Sequence, residues 1–240
     1  VQAFRDTLEF RFNTLEGLKD AGSLKDLARL GRDWLTYLVS KLGRKRPLLK
    51  DPLAVFSLEW LEKRFDVLPI IIIRPPLGYA GSRKKHNLHH PFDHFLRQSH
   101  LLRDYLSSYK HEIESFARDE KSIVKQAVLL WRLMHSVIRN YRESHPDWIF
   151  VRHEDLCQDP LREFARLYRE AGLEFGPKAR RRIAKYSTGQ GEVFGSDRLE
   201  RNSAEVIYNW RDRLTPKEID YIHEHTAELR TEFYSDSYFT

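Results

Sequence analysis

Apolar residues near the start of the chain recur at helical spacing: Phe4, Leu8, Phe12, Leu15 and Leu18. A second helix is expected from Ser23, a natural N-cap, through Leu27, Leu30, Trp34, Leu35 and Leu38 to a stop at Gly43. Pro47 to Asp51 reads as a short extended segment. Asp51 then stands as N-cap with Pro52 at the first helical position, and Val55, Phe56, Leu58, Trp60 and Leu61 give that helix an apolar face to about Phe65. The pattern then changes. Val67-Leu68-Pro69-Ile70-Ile71-Ile72-Ile73 places β-branched residues on both faces, which predicts a strand buried on both sides.

Beyond Arg74-Pro75-Pro76 a helix containing Tyr79 to Lys84 is expected, then an irregular His-rich stretch over 86–94 and a helix from Phe95 to Tyr109. Lys121 to Glu143 is a long amphipathic helix whose apolar side includes Ile123, Ala127, Leu130, Trp131, Met134, Val137, Ile138 and Tyr141. Trp148 to Val151 is a second short strand. Asp159 with Pro160 opens a helix to Ala171, stopped by Gly172. A basic helix over Pro177 to Tyr186 and a long loop over Ser187 to Asn209 follow. Thr215-Pro216-Lys217-Glu218 reads as a capping box that opens the last helix.

This order predicts the α/β class: a small parallel sheet flanked by helices, helix-rich, in one domain over residues 1–240. Ligands of such sheets sit at the carboxyl ends of strands. Lys50, Asp51, Arg74 and Arg152 all fall at or just beyond such ends.

Composition narrows the partners. The net charge of +6 favours anionic ligands, but acids are interleaved with the bases and no aromatic-basic stripe appears, so nucleic acid is not expected. The single cysteine, Cys157, excludes an intrachain disulfide and a cysteine-built metal site, and fits a reducing, cytoplasmic setting. Ile70 to Ile73 is far too short to cross a bilayer, and no signal peptide is read at the N-terminus.

A buried strand that delivers the Arg74 guanidinium to the start of a helix makes an anion site. Ser82 stands about two turns into that helix, so its hydroxyl is too far along to cap it. A structural pair for Arg74 and a packing role for Ser82 compete with ligand binding. In the segment His86-Asn87-Leu88-His89-His90-Pro91-Phe92-Asp93-His94, Pro91 breaks the helical spacing that a metal site would need, and no metal is expected. A loop that lines a ligand site, one of its histidines available as a base, is preferred to a metal site.

Arg74-x7-Ser82 after a hydrophobic strand resembles the 3′-phosphate motif of the PAPS-dependent sulfotransferase superfamily, and the surrounding text resembles its bacterial members. The blocks are Arg46-Pro47-Leu48-Leu49-Lys50-Asp51-Pro52-Leu53-Ala54-Val55-Phe56-Ser57, Leu129-Leu130-Trp131, Val151-Arg152-His153-Glu154-Asp155-Leu156 with Asp159-Pro160, Asn209-Trp210-Arg211 before Leu214-Thr215, and Phe233-Tyr234. They run in order from about residue 46 to the end. The resemblance implies a P-loop-NTPase-like sulfotransferase fold and transfer of the sulfuryl group from 3′-phosphoadenosine-5′-phosphosulfate (PAPS) to an acceptor hydroxyl or amine, with PAP as product. The acceptor class (carbohydrate, lipid, peptide or small molecule) stays open.

On this resemblance Arg74 and Ser82 bind the 3′-phosphate, and Arg201 and Ser203 of the late loop add contacts to it. Lys50 supplies a cation near the leaving phosphate, its competing reading being a surface lysine, and Asp51 is a candidate base whose competing role is an ordinary N-cap. Two departures are visible. Arg74-Pro75-Pro76 stands where relatives often read Arg-His-Pro. Val1 to Lys45 also holds no glycine-rich phosphate loop. Either a first strand with a Pro-Arg-Ser-Gly-Thr-like loop precedes Val1, as the non-Met start favours, or the donor is not bound productively. Two other classes remain as alternatives: a P-loop-type nucleotide kinase and a non-catalytic anion-binding module.

Overall fold

In the computed structural model, residues 2–11, 18–19, 22–43, 45–119, 121–188, 205 and 207–235 are described. They fall into two units: residues 1–54 with 63–65, and residues 55–62 with 66–240.

The first unit contains α1 (Gln2–Leu8) and α2 (Leu24–Leu42). Ser23 caps α2, its hydroxyl accepting from Asp26 N at 3.2 Å, and Gly43 closes it with a bond from its N–H to Val39 O. Residues 47–51 form no strand, so the extended segment expected there adds nothing to the sheet. Asp51 Oδ1 accepts from Leu53 N at 2.8 Å, which caps a turn and not the start of an α-helix.

In the second unit a 3₁₀ turn at Ala54–Ser57 precedes α3 (Leu58–Phe65), whose last turn belongs to the first unit. The single helix expected from Pro52 is therefore broken. Two strands are seen among the described residues, β1 (Ile70–Ile73) and β2 (Ile149–Arg152). They pair in parallel with Ile70 opposite Ile149 and Ile73 opposite Arg152. Over the described residues the protein is a helix-rich α/β chain with a two-stranded parallel sheet.

α4 (Pro76–Lys85) follows β1 directly. Pro75 and Pro76 suit its entry, since the first-turn N–H groups of a helix have no intrahelical partner. Next come α5 (Asp93–Leu96), α6 (Ser99–Asp104) and α7 (Lys110–Arg118). The expected helix from Phe95 to Tyr109 is thus replaced by short pieces. The chain bends so that Phe95, Leu101 and Leu106 all reach one core, where Phe95 meets Phe56 edge-on. Burial of these side chains outweighs the local helical preference.

α8 (Ile123–Ser144) is the spine of the second unit. Leu129, Leu130, Trp131, Leu133 and Val137 on it are fully enclosed, as expected of a helix that is apolar around much of its circumference. It packs on α4 through Val124, Ala127 and Val128 against Leu77 and Ala80. β2 leads straight into α9 (His153–Gln158), α10 (Pro160–Glu170) and α11 (Pro177–Thr188). The Asp159 cap, the left-handed Gly172 (φ +66°) and the Thr215–Glu218 capping box all form as expected; the box opens α12 (Pro216–Thr231).

One face of the sheet lies under α8 with Ile71 and Ile73 buried. On the other, α10 covers Ile149 and Val151, but Ile70 and Ile72 of β1 remain 40% and 54% exposed. The strand expected to be buried on both sides is covered on one.

Candidate anion-binding site

Arg74 and Ser82 come together. Both line one cavity of about 80 Å³ at the carboxyl ends of β1 and β2. Its size suits a few water molecules and hence one tetrahedral oxyanion.

Three local features build it. β1 ends at Ile73, so Arg74 leaves the sheet at the entry to α4, and Trp131 Nε1 from α8 fixes the Arg74 carbonyl at 2.8 Å. Along α4 the cavity is lined by Gly78, Ser82 and Lys85, a row at i, i+4 and i+7. The turn after the late loop supplies Ile207, Asn209, Trp210 and Arg213 as the opposite wall. That wall sits close. A Cβ on Gly81 would lie 3.1 Å from Trp210 Cβ and 3.2 Å from its Cα, so the absent side chain lets the turn rest directly on α4.

The charge balance is positive. Arg74, Lys85 and Arg213 meet there, and Glu154 is the one carboxyl among the described lining residues. Arg74 Nε is shut off from solvent and has no hydrogen-bond partner among the described residues. A buried guanidinium N–H costs free energy unless it is paired, so an acceptor brought to this group would be favoured. Arg152, also expected at a strand end, differs: its Nε and Nη2 grip both oxygens of Asp155 at 2.8 Å. That fork is occupied by the protein's own carboxylate.

Glu154 is 1% exposed. Tyr234 O–H donates to its Oε2 at 3.0 Å, and His153 Nδ1 lies 3.3 Å from its Oε1. The Cys157 sulfur, one turn along α9, is 3.7 Å from both ring nitrogens of His153. Hydrogen bonding to Cys157, then to Glu154, raises the imidazole to about 9, against burial and against the Arg74 charge. At neutral pH His153 is therefore a further cation of the cavity wall.

Lys50 and Asp51 are exposed and belong to the first unit. Arg201 and Ser203 lie outside the described residues. His86 lines the cavity, whereas His90 is packed against Phe92 and Phe95 and burial lowers it to about 4. His90 N donates to Gln126 Oε1 at 2.9 Å, which ties the His-rich stretch to α8. No group of metal-ligating side chains large enough to hold an ion occurs among the described residues.

Sequence reasoning gave no role to Lys85, Arg213, His153 or Glu154. Lys85 was legible from the helical row it shares with Ser82. The other three depend on how the turn over 207–213 and α9 fold back on β1, which no local pattern encodes. No protein-family model, no curated protein and no solved structure matches the chain.

Proposed function

We propose that the cavity at Arg74 and Ser82 receives the 3′-phosphate of PAPS and PAP, and that the protein is a PAPS-dependent sulfotransferase with a P-loop-like fold. The observation that carries this reading is Arg74 Nε, buried without a partner in a predominantly cationic cavity beside Ser82. Arg74 contributes a directional, charge-assisted bond, Ser82 a hydroxyl donor, and Lys85, Arg213 and protonated His153 the surrounding field.

In the reaction the acceptor oxygen or nitrogen forms a bond to sulfur while the S–O bond to the 5′-phosphate breaks. The electron pair leaves with the phosphate, and the acceptor's proton passes to a base. The acceptor stays at the level of class: carbohydrate, lipid, peptide or small molecule.

Isothermal titration tests the reading. PAP is expected to bind, and Arg74→Ala to weaken it on the order of 10- to 100-fold, the range of a hydrogen bond to a charged group. Binding of ATP without PAP would point to a kinase instead, and unchanged PAP affinity in Arg74→Ala would remove the site.

A further inference from the structure

α2 is folded with its apolar side outward. The less exposed residues of α2 are Asp26, Leu30, Asp33, Tyr37 and Ser40, a helical row that is mostly polar. Leu24, Leu27, Trp34, Leu35, Leu38 and Leu42 form the other stripe, and all six are exposed, Leu24 at 85%, Leu35 at 53% and Leu42 at 75%. A stripe of this kind is ordinarily the face a helix buries.

Charge says what fits it. Lys25 and Arg32 border the stripe on one side and Lys41 on the other, whereas both acids of the helix, Asp26 and Asp33, stand on the opposite face. Arg44-Lys45-Arg46 follows in the sequence. Arg32 contacts Asp33 at 3.4 Å, but the pair is exposed and leaves most of its charge to solvent. A second copy of the chain laid on this stripe would bring basic flanks against basic flanks, the reverse of what pairs helices. An anionic lipid surface matches both features: Leu and Trp enter the acyl boundary while the flanking bases reach headgroup phosphates. The described residues include no helix long and apolar enough to cross a membrane, so the fit is in the plane of the surface.

We infer that α2 is an interfacial helix that docks the protein on anionic membranes. The inference stands apart from the donor site, because every residue it uses belongs to the first unit.

The test is co-sedimentation of the full chain with vesicles of phosphatidylcholine alone and of phosphatidylcholine with phosphatidylglycerol. Binding is expected only to the second and is expected to fall as salt rises. The exposed double variant Leu35→Glu/Leu38→Glu should abolish it while circular dichroism and the thermal midpoint stay those of the parent. Lys25→Glu/Arg32→Glu should weaken it by at least roughly tenfold. Absence of binding, or equal binding by the parent and both variants, overturns the inference. So does sedimentation velocity without lipid that shows a dimer which Leu35→Glu/Leu38→Glu disperses, since the stripe is then a self-association face.

Discussion

Trp131 Nε1 and the Arg74 carbonyl oxygen are joined by a 2.8 Å hydrogen bond between α8 and the residue that leaves β1. Trp131 is fully enclosed, and its ring stacks on His135 with centroids 3.9 Å apart. Burial holds the His135 imidazole at about 3, so it stays neutral, and its Nδ1 donates back to Trp131 O at 2.9 Å. The backbone that aims Arg74 into the cavity is thereby tied to the most buried helix of the second unit.

This tie can be removed without emptying the core. Trp131→Phe keeps an aromatic ring but leaves the Arg74 carbonyl without its donor. The expected loss is about 1–3 kcal/mol of stability, the cost of an unsatisfied buried group plus some lost volume. Denaturant unfolding reads that loss directly. PAP affinity measured on the folded variant should fall as well, because the strand end is no longer fixed. A variant with full stability and full affinity would show that the bond does not position Arg74.

Gly81 gives a second, more selective handle. Gly81→Ala gains helix propensity of roughly 1 kcal/mol. Its new methyl would, however, stand 3.1 Å from Trp210 Cβ. The turn carrying Trp210 and Arg213 must yield by a few tenths of an ångström, and it forms the far wall of the cavity. Anion affinity is therefore expected to drop several-fold with little change in the thermal midpoint. Titration with PAP beside a thermal melt separates the two effects; unchanged affinity would mean that the wall moves freely.

Glu218 joins two elements. Its carboxylate accepts from Thr215 N at 2.7 Å in the capping box and from Lys84 Nζ at 2.7 Å, linking α12 to α4. Burial opposes its ionisation, but Lys84 and the Thr215 bonds prevail and hold the carboxyl below its usual value. A depressed carboxyl stabilises the fold above its unfolded pKa and loses that contribution as pH falls through the folded one. Glu218→Ala should cost about 1–2 kcal/mol at neutral pH. The deficit should shrink in acid, which urea titrations across pH would reveal; a deficit independent of pH would assign the effect to lost packing.

The sequence was informative where structure is local. The Ser23, Asp159 and Thr215 caps and the Gly172 stop each involve residues a few positions apart, and all form as read. Arg74 and Ser82 share a cavity because they flank one strand-to-helix junction. Periodicity identifies an apolar face but not its cover. Ile70 and Ile72 on β1 were therefore expected inside and are exposed, and periodicity along α2 says equally little about what covers its apolar residues. The segment 95–109 failed for the opposite reason: three distant core contacts bend a stretch whose local preference is helical. The cationic state of His153 was hidden too, since it depends on Cys157 and on a buried Glu154 held by Tyr234.

His153 supplies the clearest pH signature. Its folded pKa, raised to about 9 through Cys157 and Glu154, exceeds the ordinary imidazole value of 6.5. A raised base stabilises the fold fully below the unfolded pKa, and this contribution is lost as pH rises through the folded one. The stability provided by His153 should therefore decline between about pH 6.5 and 9, and its share of the field in the cavity should fall as pH passes about 9. Oxyanion affinity followed by titration calorimetry is expected to be steady at neutral pH and to weaken through that upper limit. His153→Gln should flatten this part of the profile and lower neutral-pH affinity several-fold, leaving Arg74 and Ser82 in place. Cys157→Ala should move the inflection to lower pH, because the largest stabiliser of the imidazolium is gone. An inflection that stays near 9 in both variants would assign the titration to another group and take His153 out of the cavity's electrostatics.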